Sequence, residues 1–372
     1  MLQQDSSGDK KFFSLQASTM KIAAVSLVKD ECDIIELFVR INLRIVDHLF
    51  IIDNGSSDAT LQIICNIRDE GLPVTLMHDS SIDFQQDTIV TDALNRIALL
   101  GEFDWFVCLD ADEFISGNRD DFCQELESVC REHYARLRWK TFIPLSSDYF
   151  SFDNPIWQNF HSRIRETKQY FKVAIPASLV LSSRVSMGNH YLVDLSGKKR
   201  PFVILDTTID HVPVRSSAQI VSKAILGSHT FSLKLNRRDN EGFHWDFMAA
   251  IARENSYSLN ISQLQEIAFT YSQAECEDFC REVDKSVRIG CEDDRMMYKE
   301  LSTINLCARL DNSLQQLCGT LGQKAVVCYD VRQLNDEIGA LRAELDEKNS
   351  EIQSVYATIA GKFIRFCKAL KR

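Results

Sequence analysis

Between residues 21 and 115 the chain alternates short apolar runs with stretches of helical periodicity, and that alternation leaves few folds open. Ile22 to Val28 is apolar but for Ser26, and HLFIID (48–53), PVTLMH (73–78) and WFVCL (105–109) are the next such runs. Runs this short, rich in Val, Ile and Phe, read as strands buried on both faces. The first intervening stretch carries Ile34, Leu37, Phe38, Ile41 and Ile45 at helical spacing, and residues 59–68 and 88–100 read as two more helices. Strand–helix–strand units of this kind imply an α/β fold, a mostly parallel sheet with helices on both faces. Their right-handed crossovers bring the carboxyl ends of the strands to one edge, where ligands bind in such sheets. Three of the runs end there in polar clusters: KDE at 29–31, DNGSSD at 53–58 and DADE at 110–113.

Composition narrows the function. The formal net charge of −11 argues against a nucleic-acid binder, which usually presents a basic surface. No GxGxxG or GxxxxGK follows any run, so a dinucleotide-binding domain or a P-loop enzyme is disfavoured. No apolar run is long enough to span a bilayer, and residues 1–20 read as a flexible, polar leader without a signal-peptide core. A soluble, cytoplasmic protein is expected. The 12 cysteines are scattered without a CxxC pair, which suits reduced thiols better than a zinc knuckle.

The most demanding segment is FVCLDADEFI at 106–115. In an extended chain Asp110 and Asp112 project to the same side. Two neighbouring carboxylates repel unless they share a proton or a cation. Oxygen ligands suit Mg2+ or Mn2+, which gain further ligands from substrate phosphates. The pair therefore reads as a site for a metal–diphosphate, although a helix cap and a solvated turn would use the same residues.

Four segments taken together, KIAAVSLVKDECDIIELFVRINLRIVDHLFIIDNGSSDAT (21–60), DWFVCLDADEFI (104–115), GNH (188–190) and HVPVRS (211–216), resemble the glycosyltransferase family-2-like group, whose fold is GT-A. The resemblance covers roughly residues 21 to 230 and implies a GT-A domain over 21–235. It implies that Asp53 and Asn54 contact the nucleoside of a nucleotide-sugar donor, with Lys29 and Glu31 beside its base or ribose. Asp110 and Asp112 would hold the metal that bridges the donor phosphates, Asp112 being the direct ligand. One of His190 and His211 would complete the metal's ligands, and a neutral imidazole favours manganese over magnesium. Arg215, with Lys223, would offset diphosphate charge, and Gln85 and Gln86 lie where relatives carry a donor contact. The catalytic base stays open: Asp153 and Asp194 are the leading candidates, with Glu166 and Asp210 in the same segment.

The implied activity is metal-dependent transfer of a sugar from a nucleotide-diphosphate sugar to a glycan, lipid-linked or polysaccharide acceptor. A nucleotidyltransferase is one rival, but it would show a glycine-rich basic loop after the first strand, which VSLVKDECD lacks. A degenerate GT-A domain serving as a scaffold is the other, and the intact Asp110 and Asp112 stand against it. Residues 236–328 read as mostly helical. In 329–372, Leu334, Ile338, Leu341, Leu345, Ile352, Val355 and Ile359 follow a four-three spacing. That spacing suits a coiled coil over 331–359 that joins copies of the chain, or an amphipathic helix packed on its own domain. The basic, acid-free face of 356–372 suits peripheral contact with an anionic membrane at its inner face, or packing on protein.

Overall fold

The computed structural model of the chain describes residues 20–79, 86–145, 159–232, 242–271, 280–291, 294–312 and 315. The chain divides into two compact units, Met1–Ser313 and Leu314–Arg372, and apart from Gln315 the second lies outside the described residues. The expectations for 1–19, 331–359 and 356–372 fall outside them too, as do Gln85 and Asp153.

The four apolar runs form β1 (Ile22–Val28), β2 (His48–Asp53), β3 (Val74–His78) and β4 (Trp105–Cys108), joined by α1 (Ile35–Asn42), α2 (Thr60–Asp69) and α3 (Gln86–Ala98). They pair in parallel in the order β3-β2-β1-β4. Val28, Asp53 and His78 lie in register, so the polar segments that follow these strands share one edge. β1 is apolar at nearly every position because both its faces are covered. Ile22, Ala24 and Val28 pack into a core with α1 and α2, while Ala23 and Val25 pack into another with Val90, Leu94 and Ile97 of α3. Each fully buried Val, Ile or Leu among them stabilises the fold by about 1.5–3 kcal/mol.

The second half of the sheet is built differently. β5 (Glu113–Ile115) is followed by α4 (Arg119–Ser128), β6 (Tyr134–Pro144), β7 (Phe160–Arg163), β8 (Phe171–Pro176) and the one-turn α5 (Ala177–Val180). A hairpin of β9 (Ser183–Val185) and β10 (Leu192–Asp194) leads to β11 (Phe202–His211). The sheet continues past β4 through β8, β6 and β11 to β5, and β7 and β12 (Val283–Asp284) extend it beside the end of β6. β8 runs antiparallel to β4 and β6, and β5 antiparallel to β11. The sheet is thus mixed, parallel through its first four strands and largely antiparallel after them. The cause is local: no crossover helix separates β4 from β5, so the chain turns directly from the middle of the sheet to its far edge. Four flat interstrand spacings need about 19 Å, more than the turn between β4 and β5 provides, and the sheet curls back on itself.

Helices α6 (Ser217–Ser232), α7 (Phe243–Glu254) and α8 (Ile261–Thr270) follow. Ile220, Val221, Ala224, Met248, Ala249 and Leu264 form a third core that includes Ile143 of β6 and Val214. They therefore belong to the same compact unit as the sheet. The described residues between 280 and 304 are mostly irregular, apart from β12 and a 3-10 turn at Lys299–Leu301. This segment buries Ile289 and packs Val287, Met296, Leu301 and Ile304 against the core that holds α1 and α2, and polar contacts to Glu36, Arg44 and Glu70 tether it there.

Candidate functional site

The DADE turn lies at the carboxyl end of β4. The chain turns at 111–112, where the Glu113 amide donates to the Asp110 carbonyl at 3.1 Å. That turn breaks the two-residue alternation of a strand, and Asp110 and Asp112 take separate partners instead of facing one way together. Asp110 accepts from Gln86 Nε2 at 3.0 Å and from Lys172 Nζ at 2.7 Å. Asp112 accepts from Lys223 Nζ at 2.9 Å, with Arg215 Nη1 at 3.6 Å from the same oxygen. Its other oxygen, Oδ1, faces His211 Nε2 at 3.7 Å.

Lys172 is a site residue that the sequence did not announce beyond being one lysine in the apolar strand FKVAIP. It is fully buried, and its ammonium also donates to the Gly188 carbonyl at 2.9 Å and lies 3.3 Å from Glu113 Oε1. Gln86 closes the same ring by accepting from the Gly188 amide at 3.3 Å. Gly188 has φ +72, and a Cβ there would stand 2.5 Å from His190 Nε2. Glycine therefore both permits the turn and leaves room for the imidazole, which explains the first residue of GNH.

Arg215 is not free to meet phosphate. It is fully buried, and its guanidinium donates to Asp33 at 2.7 and 3.0 Å, to Glu31 at 2.6 Å and to the Val212 carbonyl at 3.2 Å. Glu31 spends its remaining oxygen on Lys223 at 3.1 Å. Both residues were expected at the donor, and both instead join the loop after β1 to the segment leading into α6. Lys223, with 28% of its side chain exposed, is the cation of the cluster that still reaches solvent.

Five carboxylates (Glu31, Asp33, Asp110, Asp112 and Glu113) share three cations in this cluster. Burial raises the Glu113 carboxyl well above its ordinary range and the Glu31 carboxyl above its own, against the pull of Lys172 on the first and of Lys223 and Arg215 on the second. For Asp112 burial works the same way, but Lys223 and Arg215 outweigh it and hold the group ionised. Burial works to discharge Lys172, and Asp110 and Glu113 keep it charged. The upward shifts of Glu31 and Glu113 reconcile five acids with three cations, and a divalent cation would favour their ionised forms.

The donor set fits such an ion in part. His211 stacks on Trp139, with ring centroids 4.2 Å apart, and burial lowers its pKa to about 3, so the ring is neutral and able to ligate. Its Nδ1 has no hydrogen-bond partner among the described residues. Nε2 and Asp112 Oδ1 stand too far apart for a hydrogen bond and close enough to share an ion. No group of three Asp, Glu, His or Cys side chains is arranged for a metal among the described residues. The remaining positions would fall to phosphate oxygens and water, as Mg2+ commonly requires. His190 gives its Nδ1 to the Phe171 carbonyl at 2.9 Å and packs against Trp139 and Tyr170, and burial lowers its pKa to about 4. In the metal-free protein, imidazole nitrogen shifts measured by NMR should report both rings neutral at pH 5. Both pKa values lie below that of an unfolded histidine, about 6.5. These rings therefore stabilise the fold fully above that pH and lose the contribution as pH falls through 4 and 3.

The remaining sequence candidates divide. Lys29 is exposed just beyond β1. Asp53, buried at the end of β2, accepts from the Ser56 amide at 3.2 Å, and Asn54 donates to the Asp79 carbonyl at 3.3 Å. These three stay on the carboxyl edge of the parallel strands. Asp194 is engaged in an exposed turn, accepting from the Ser196 amide and hydroxyl and from the Lys198 amide at 2.6–2.9 Å. Glu166 accepts from the Thr141 amide at 2.7 Å and from Arg163. Asp210 sits buried beside His211 on β11, and burial raises its pKa to about 7, which strengthens it as a base and keeps it among the candidates.

No protein-family model matches the sequence, and no curated protein matches it significantly. Among solved structures the chain is similar to TarS 1-349 of S. aureus, at 11% identity over 74% of this chain and 98% of that one, with a TM-score of 0.32. It is similar to a mannosyltransferase from Pyrobaculum calidifontis, solved in complex with GDP-Man and Mn2+, at 12% identity over 79% and 87% of the two chains, with a TM-score of 0.32. It is also similar to a 4-diphosphocytidyl-2C-methyl-D-erythritol synthase, at 11% identity over 43% and 76%, with a TM-score of 0.28. At TM-scores this low the likenesses carry no argument about activity, and the architecture rests on the strand order and register.

Proposed function

We propose that this chain is a glycosyltransferase that takes a sugar from a nucleotide-diphosphate sugar and passes it to a hydroxyl of a glycan, lipid-linked or polysaccharide acceptor. The observation that supports this most is the acid cluster on the carboxyl edge of the parallel strands. It holds more carboxyls than cations, and Asp112 Oδ1 and a neutral His211 Nε2 are turned toward one another within it. Lys29, Asp53 and Asn54, at the ends of β1 and β2, bind the nucleoside. Asp112 and His211 hold the divalent ion, which when bound stabilises charge on the departing diphosphate.

Lys172 and Gln86 hold Asp110 in place, and Arg215 holds Glu31 and Asp33, so the acids cost little reorganisation when the donor arrives. Lys223, the cation of the cluster whose side chain still reaches solvent, can leave Asp112 for a phosphate oxygen. A thermal-shift screen of nucleotide sugars with and without Mn2+ tests the reading. A donor present at a hundred times its dissociation constant should stabilise the fold by about 2.7 kcal/mol, and release of nucleoside diphosphate rather than pyrophosphate should follow. If no nucleotide sugar shifts the melting temperature, the reading is wrong.

A further inference from the structure

The segment after α8 reaches back over the first two strand-end loops. Asp294 pairs with Arg44, the amides of Met297 and Tyr298 donate to Glu36 at 2.8 and 2.9 Å, and the Tyr298 hydroxyl donates to Glu70 at 2.6 Å. Beyond these tethers Arg309 enters the protein, 4% exposed. Its Nη2 pairs with Asp58 and lies 3.5 Å from Cys32 Sγ, and its Nη1 donates to the Ser222 hydroxyl at 3.1 Å. Asn312 adds a bond to the Ser57 carbonyl at 3.3 Å.

What Arg309 grips bears on the ligand-binding edge. Asp58 accepts from the Cys32 amide at 3.3 Å and from the Thr60 amide at 2.8 Å, tying the loop after β1 to the loop after β2. Asp30 closes the same link by accepting from the Ser57 amide at 2.6 Å, and it does so with φ 56, a left-handed backbone that a non-glycine residue adopts at a cost. Asp30 Oδ2 is buried with no hydrogen-bond partner among the described residues. Two carboxylates, one buried and strained and one partly buried, and one buried arginine make an expensive way to close a loop, since apolar packing would serve stability as well. These loops carry Lys29, Asp53 and Asn54, and Ser222 adjoins Lys223, the cation on Asp112. Arg309 is thus bonded to the donor loops and to the helix that serves the acid cluster.

We propose that Arg309 is a positioning residue of the nucleotide side of the site, acting through Asp58 to hold the Lys29–Glu31 and Asp53–Asp58 loops in the geometry that binds donor. This rests on the glycosyltransferase reading. In the full chain, Arg309→Gln should raise KM for the donor about tenfold while kcat stays within about threefold, because the acid cluster itself is untouched. Arg309→Lys keeps the charge and should recover most of the loss. Hydrogen exchange at the amides of Asp30, Cys32, Ser57 and Thr60 should accelerate in Arg309→Gln, while strands β1 and β2 stay protected. If Arg309→Gln does not fold, Ser222→Ala removes the Nη1 bond, along with the hydroxyl's own bond to the Gln219 carbonyl within α6, and should raise KM by a smaller factor. An unchanged KM in the folded variants, with only a lower melting temperature, overturns the proposal. Should the wild-type chain bind no nucleotide sugar, the glycosyltransferase reading fails separately. The exchange rates then decide whether Arg309 holds the loops, and unchanged rates overturn the proposal on their own.

Discussion

Arg215→Met should destabilise the protein by about 3–5 kcal/mol, the range for removing one partner of a buried ion pair. The methionine fills much of the volume but leaves Asp33 and Glu31 buried without their guanidinium, at the loop that starts α1. Lys223 retains one oxygen of Glu31 and cannot serve Asp33 as well. Arg215→Lys should recover little, because a single ammonium does not reproduce a fork that bonds two carboxylates and a carbonyl. Urea denaturation of the metal-free protein measures both variants. A loss below about 1 kcal/mol, the value of a surface pair, would show that the arginine is not the clamp described here and would return it to the list of free phosphate contacts.

The largest effect on turnover belongs to Asp112. Asp112→Asn keeps the shape of the side chain but exchanges one acceptor oxygen for a donor amide and removes the charge that faces His211 and Lys223. Donor turnover should fall by about two to three orders of magnitude, as when a preorganised charge-stabilising group is lost, and the dependence on Mn2+ should weaken with it. Stability should fall as well, because Lys223 and Arg215 favour the ionised Asp112 over its neutral form and the amide gives up that charge. Steady-state kinetics across a Mn2+ titration, beside a denaturation curve, separate the two effects. Wild-type turnover in this variant would show the acid to be structural only.

The first half of the fold was legible because its signals are local. Every residue of Ile22–Val28 is apolar or small, since each face of β1 meets its own core, and β1 ends at Val28 as read. The antiparallel half was not legible: FKVAIP looks the same whichever way its neighbours run, and direction is set by connections that composition does not encode. The DADE segment marks the limit of alternation. It correctly flagged acids at a strand end, but the turn at 111–112 sends Asp110 to Lys172 and Asp112 to Lys223. Arg215 and Glu31 stand out as charged residues in motifs, yet only the folded chain shows that they are spent on each other. Lys172 and Arg309 lie outside every motif, and their roles come from which carboxylates they meet across the fold.

The reach of Arg215 has a consequence for how the chain is made. Its partners Asp33 and Glu31 precede it by 182 and 184 residues. At synthesis rates of about 5–20 residues per second, the acids leave the ribosome roughly 10–40 s before their counter-ion exists. The β1–α1–β2 portion cannot close its strand-end loop in that interval without burying bare carboxylates, so the nascent chain keeps that loop hydrated until α6 is being made. A truncation ending before residue 215 should therefore hold its early helices and strands loosely, seen as faster amide hydrogen exchange across β1, α1 and β2 than in the full chain.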